Sequence, residues 1–301
     1  MSKLPVSQLM RNAKKFEQRA QYGQAREVYQ TILASYPGNV RARQSLQNLP
    51  KVDPRVTQFK TPQNQVVELI QLLESRKYSK AVRMAEKIAA KEPGLGLAWK
   101  VIGMANEKLG KFAKAEIGFR KALEVEPNCF ETHNNLGVVL KEQNKLKEAV
   151  SSYKRSAQNN PKYFRAQFNL GIALKEQSNL DEAISAFQRA IVLNPDHAQS
   201  HYNLGKSFFE RGDNDKALES YEMAIRIQPN YAEAHDNLGI LYQTLGDYAS
   251  AQKHHLQATK LKPDFAGAHY NLGCCHRHFH NMPEAASSFD LACKYAPGEI
   301  T

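Results

Sequence analysis

A period of 34 residues constrains this chain more than any other feature of its sequence. The strings H-N-N-L-G (133–137), Q-F-N-L-G (167–171), H-Y-N-L-G (201–205), H-D-N-L-G (235–239) and H-Y-N-L-G (269–273) return at that spacing. Prolines keep the same clock at Pro127, Pro161, Pro195, Pro229, Pro263 and Pro297. Alanines keep it at Ala115, Ala149, Ala183, Ala217, Ala251 and Ala285. A short unit repeated in register cannot bury an apolar face alone, so it stacks on its neighbours into a linear array. Length by itself allows two ordinary globular domains. The period favours one elongated array instead.

With each unit numbered so that its proline falls at repeat position 32, the units begin at 96, 130, 164, 198, 232 and 266. Position 8 then reads Gly103, Gly137, Gly171, Gly205, Gly239 and Gly273. Position 24 reads Phe119, Tyr153, Phe187, Tyr221, His255 and Phe289, and position 27 holds five alanines and Ser156. With Trp99 at position 4, a place later units mostly give to His, the pattern resembles the tetratricopeptide repeat family and its helix-turn-helix unit. The resemblance implies an all-α fold, a right-handed α-solenoid of tetratricopeptide helix pairs. A glycine inside a helix costs about 1 kcal/mol relative to alanine, so its recurrence needs a packing reason. The expected reason is close approach of the first helix to the second, whose position-20 alanine is equally small. The position-24 aromatic then fills the gap beyond, and the proline stops the second helix.

Upstream the pattern thins. Residues 62–95 keep Ala81 and Pro93 in phase, and residues 6–39 keep Ala25, Tyr29 and Pro37, both without the position-8 glycine. The expected organisation is a divergent basic helical module over 1–48, a linker over 49–61, a divergent repeat over 62–95 and six units over 96–301. Residues 1–95 hold 17 Lys and Arg against 7 Asp and Glu, whereas residues 96–301 hold 24 against 23. The formal charge of +11 therefore sits almost wholly in the first third. A solvated lysine-rich helical surface accounts for it; without an aromatic-basic cluster, nucleic acid is not an expected partner. Cys129, Cys274, Cys275 and Cys293 lack paired spacing, which argues against a disulfide scaffold. The opening residues lack the apolar core of a signal peptide, and no stretch approaches the ~18 apolar residues of a membrane span. The expected location is the cytoplasm.

In the family the first helices line a concave face, with positions 2, 5, 6, 9, 12 and 13 pointing into it. Position 6 reads Asn135, Asn169, Asn203, Asn237 and Asn271 in five consecutive units. An amide offers both donor and acceptor. This row resembles the asparagine ladder of the repeat arm of O-linked N-acetylglucosamine transferase and of bacterial repeat proteins carrying sulfotransferase or glycosyltransferase domains. The resemblance implies that these five residues contact the main chain of an extended peptide; the competing use is bonding to the neighbouring helix. Replacing them with alanine is expected to weaken binding with little change in melting. Around them Phe168, Tyr202, Phe209 and Tyr270 offer aromatic anchors, and Lys141, Lys175 and Arg277 offer charge for an acidic stretch, with Lys206 adding to them.

The carboxylate clamp of chaperone-binding members is incomplete: Lys100 and Asn135 match, but Met104 and Asn169 stand where Asn and Arg are required. In C-C-H-R-H-F-H (274–280), His276 and His280 share a helical face if the helix extends that far, yet no third metal ligand stands at matched spacing. Neither a catalytic constellation nor a cofactor motif is present, so no cofactor is expected. The leading expectation is a non-catalytic scaffold for a protein or peptide in extended conformation. One alternative is the substrate-recruiting arm of a transferase whose catalytic domain is not in these residues. The other is self-association through the last unit near Phe289, Leu291 and Ala292, where only four residues follow Pro297.

Overall fold

The computed structural model describes residues 5–18, 22–49 and 62–296, and every regular element among them is an α-helix. The chain divides into two compact units, Met1–Glu74 and Ser75–Thr301. The division falls inside the 62–95 repeat, and all of the 49–61 linker except Leu49 lies outside the described residues. In the first unit α1 (Val6–Gln18) and α3 (Val40–Asn48) pack against α2 (Tyr22–Ser35), and α4 (Pro62–Glu74) follows. The core of the three packed helices is Ala13, Ala25, Tyr29, Ile32, Ala42 and Leu49. The Tyr29 hydroxyl donates to Glu17 Oε1 at 2.6 Å. Burial, followed by that bond, pushes its pKa up to about 12.

The second unit opens with α5 (Tyr78–Lys91) and continues as six helix pairs. They are α6 (Gly96–Lys108) with α7 (Phe112–Val125), α8 (Phe130–Glu142) with α9 (Leu146–Asn159), and α10 (Phe164–Glu176) with α11 (Leu180–Leu193). Then come α12 (Ala198–Arg211) with α13 (Asn214–Ile227), α14 (Ala232–Thr244) with α15 (Tyr248–Leu261), and α16 (Ala266–His278) with α17 (Met282–Tyr295). Each first helix ends in a left-handed residue at position 15, where φ is +69° at Gly110, +59° at Asn144, +60° at Ser178 and +91° at Gly212. Glycine and asparagine tolerate that conformation, and it folds the next N–H back onto the helix. Lys145 N–H donates to Leu140 O at 2.9 Å, and Asn179 N–H to Leu174 O at 2.9 Å.

The position-8 glycine has a different immediate neighbour from the one its sequence context suggests. The position-24 ring, rather than the position-20 alanine, lies on it. A Cβ at Gly137 would stand 2.6 Å from Tyr153, one at Gly171 2.6 Å from Phe187, and one at Gly205 2.8 Å from Tyr221. The missing side chain thus seats a fully buried aromatic, a burial that contributes about 1.5–3 kcal/mol per ring. Position 4 supplies a second internal tie. Trp99 Nε1–H donates to Pro93 O at 2.9 Å, and Nε2 of His133, His201, His235 and His269 bonds Pro127, Pro195, Pro229 and Pro263 carbonyls at 2.8–3.2 Å. A carbonyl only accepts, so each of these rings carries its proton on Nε2. The bond fixes the inter-repeat turn against the first helix that follows it.

Each second helix also packs on the next first helix, and successive first helices touch one another more than successive second helices do. Second helices therefore splay, and the array curves with α6, α8, α10, α12, α14 and α16 on its inner side. No helix among the described residues is long and apolar enough to cross a membrane.

Candidate functional site

The inner side is built from the first helices, and the position-6 asparagines lie along the lines where those helices meet. Asn169 Nδ2 on α10 donates to Asn134 Oδ1 on α8 at 2.9 Å. Asn237 Nδ2 on α14 donates to the Tyr202 hydroxyl on α12 at 2.9 Å, and Asn271 Nδ2 on α16 donates to Asp236 Oδ1 on α14 at 3.1 Å. Position 6 of one unit thus bonds position 5 of the unit before it. Phe168 breaks the series because a phenyl ring accepts no such bond, and Asn203 Nδ2 turns back to Gln199 O on its own helix at 2.8 Å. Asn135 only accepts a long bond, from Asn134 Nδ2 at 3.4 Å.

The competing use, bonding to the neighbouring helix, thus accounts for part of the chemistry of three of these amides. Three of the five side chains spend one N–H on tying first helices together, so replacing all five costs stability as well as surface chemistry. What stays uncommitted among the described residues is the Oδ1 of Asn169, Asn203, Asn237 and Asn271, all half-buried. The row presents acceptors in series.

The expected aromatic anchors divide. Tyr270 is 42% exposed, with its ring centre 5.5 Å from that of Phe289. Phe168, Tyr202 and Phe209 are half-buried in the core that links successive units. Phe168 packs edge-on against His197 at 4.8 Å, and Tyr202 meets Tyr231 at 4.9 Å. Burial pushes the Tyr202 pKa up to about 12, so its hydroxyl stays protonated as it accepts from Asn237.

The basic residues also divide. Lys141 pairs with Glu142 at 3.2 Å and Glu176 at 3.8 Å, and Lys175 pairs with Glu210 at 3.4 Å. Neither is a free cation awaiting an acidic guest. Arg277 lies 6.0 Å from the centre of the Phe289 ring, and Lys206 5.7 Å from that of Tyr202. Neither has a carboxylate within ion-pair distance among the described residues. Burial, then the charge of Lys175, lowers the Lys206 pKa. Sequence reading missed two things: the acid one residue past Lys141 or Lys175 in the next unit, and the position-5 acceptors Asn134, Tyr202 and Asp236. The signal for both was a spacing of 35 residues, one more than the period.

His276 and His280 do not share a helical face, because α16 ends at His278 and His280 is the left-handed turn residue with φ +60°. His276 Nδ1 instead bonds Gln252 Nε2 at 3.2 Å. Among the described residues no group of three or more His, Cys, Asp or Glu side chains is arranged to hold a metal ion. In the last unit Ala292 is fully buried, while Phe289 and Leu291 are half-buried.

A family model described as tetratricopeptide repeat matches residues 108–164, 134–192, 168–232 and 237–300, and a second model with that description matches 220–253. Protein FlbA of Caulobacter vibrioides is 26% identical over 101 residues, which are 34% of this chain and 17% of that protein. The match therefore spans under a fifth of the relative's length. PilF of Pseudomonas aeruginosa is similar with a TM-score of 0.60 at 22% identity, covering 67% of this chain and 92% of that one. YrrB, described as a tetratricopeptide repeat protein with an unusual peptide-binding site, is similar with a TM-score of 0.50 at 22% identity, covering 60% and 93%. At these identities the two structures speak to the fold alone.

Proposed function

The chain belongs to the tetratricopeptide repeat family, and from that premise we propose that its second unit is a non-catalytic scaffold holding an extended polypeptide along the inner side. The observation that carries this reading is the row of uncommitted Oδ1 atoms on Asn169, Asn203, Asn237 and Asn271. Such a row accepts main-chain N–H groups whatever side chains the guest carries. Burial of flanking aromatic surface adds affinity, with Tyr270 the most exposed of the four rings. Lys206 and Arg277, groove cations without a carboxylate partner among the described residues, favour guests with acidic side chains beside them. YrrB's described peptide-binding site is consistent with this use of the fold.

Asn135 and Asn203 donate no hydrogen bond to another helix among the described residues, so they separate binding from folding. Peptides selected on the wild-type protein from a random display library are titrated against an Asn135→Ala/Asn203→Ala variant. Binding at least about tenfold weaker, the worth of one or two lost hydrogen bonds, with an unshifted melting temperature supports the reading. Unchanged affinity, or a selection that yields no binder, counts against it.

A further inference from the structure

The outer side of the array carries equivalent cavities at three of its units. One lies between α7 and α9 with His133 in its wall, and its equivalent three units on is lined by α13, α14 and α15 with His235; their volumes are about 460 and 500 Å³. In both, the position-4 ring stands in the cavity and bonds a proline carbonyl. Between α9 and α11 the equivalent residue is Gln167, and there the cavity opens to about 950 Å³. Gln167 is only 8% exposed, and its Oε1 is buried without a hydrogen-bond partner among the described residues. No ring N–H reaches the Pro161 carbonyl there, unlike Pro127, Pro195, Pro229 and Pro263.

A buried acceptor left alone costs about 1–3 kcal/mol, and an unfilled apolar cavity forfeits contacts as well. The floor beside Gln167 is apolar, formed by Leu170 and Leu174, with Ala157 and Ala186 on the flanking helices. Lys154 and Glu182 pair at 2.8 Å across the rim, and Val192, which also lines the cavity, is 79% exposed. The site therefore has room for a flat ring, one acceptor at depth and an apolar shelf at its mouth.

We propose that this cavity takes a tryptophan side chain from a partner polypeptide. The indole fits on three counts. It brings a large apolar surface to the leucine and alanine walls. Its Nε1–H is a donor and nothing else, which suits Gln167 Oε1. The chain itself seats an indole at repeat position 4 in the unit that begins at 96, where Trp99 bonds Pro93 O. The partner's ring supplies in trans what the unit beginning at 164 lacks in cis, and Val192 supports the flanking main chain. This face lies away from the asparagine row, so the two sites are independent.

The probe is acetyl-Gly-Trp-Gly-amide, added to the full chain while the methyl resonances of Leu170 and Leu174 are followed by NMR. Saturable shifts at those methyls are expected. The same tripeptide with 1-methyltryptophan, which keeps the ring but loses the donor, is expected to bind about tenfold more weakly. Gln167→Trp is expected to melt higher and to lose probe binding, because its own indole fills the site. Gln167→His provides the same blocking test if the larger ring is not accommodated. The proposal is overturned if millimolar probe gives no saturable shift, or if the methylated probe binds as well as the parent. Equal binding by a folded filling variant also overturns it.

Discussion

Gly171 and Phe187 depend on each other because a Cβ on the first would stand 2.6 Å from the ring of the second. Gly171→Ala gains about 1 kcal/mol of helix propensity but crowds a fully buried side chain, which costs about 1–3 kcal/mol. The variant is expected to unfold at lower denaturant than wild type; a more stable variant would refute the account of that glycine. Titratable residues give a second prediction. His235 Nε2–H donates to Pro229 O, so its Nδ1 accepts from His254 Nδ1–H at 3.1 Å. Burial, then the neighbouring imidazole, lowers the His254 pKa from 6.5 to about 4, and burial lowers that of His235. Because the folded pKa lies below the unfolded one, this stability is complete above pH 6.5 and is lost as pH falls toward about 4. The melting temperature is expected to fall across that window, and His254→Gln to flatten part of the fall. An identical pH profile in the variant would assign the effect elsewhere. The recurrence of glycine was readable from sequence, but its contact with the ring was not, since spacing does not tell which neighbour lies nearest.

At the scale of the helix, the period already marked where each element starts, because proline and the left-handed turn residue punctuate the backbone on the same clock. The bonds between helices were not legible in the same way. They join residues 35 apart, and whether each forms depends on the chemistry at position 5: Asn134, Tyr202 and Asp236 accept, whereas Phe168 does not. The ladder consequently mixes structural and uncommitted members. Asn271 donates to Asp236 Oδ1, which also accepts from the fully buried His255 at 2.7 Å. Asn271→Ala is expected to cost about 1–3 kcal/mol because it strips a buried carboxylate of a donor. Asn203→Ala, whose amide bonds only its own helix, is expected to stay within about 0.5 kcal/mol of wild type. Equal losses in urea unfolding would mean that the bonds between first helices do not distinguish the two positions.

Across the whole array, stability accrues from contacts between neighbouring units, so the units with the least buried packing open most readily. The α16–α17 pair is packed more loosely: Phe289 is half-buried where Phe119 and Phe187 are fully buried, and Met282 and Tyr270 are exposed. Amide hydrogen exchange is expected to be faster in α16 and α17 than in α10 to α13; uniform protection would mean that the array opens only as one block. The α-solenoid was legible at this scale because every unit repeats the same packing positions. A guest was not, because the main-chain recognition we propose would leave little trace of any particular partner in the groove's own residues. The most direct measurement is calorimetric titration of a library-selected peptide against the same peptide N-methylated at alternate main-chain nitrogens. If the asparagine row accepts main-chain N–H groups, the methylated peptide binds at least about a hundredfold more weakly, equivalent to the loss of two or three hydrogen bonds. Equal affinity of the two peptides would contradict the account.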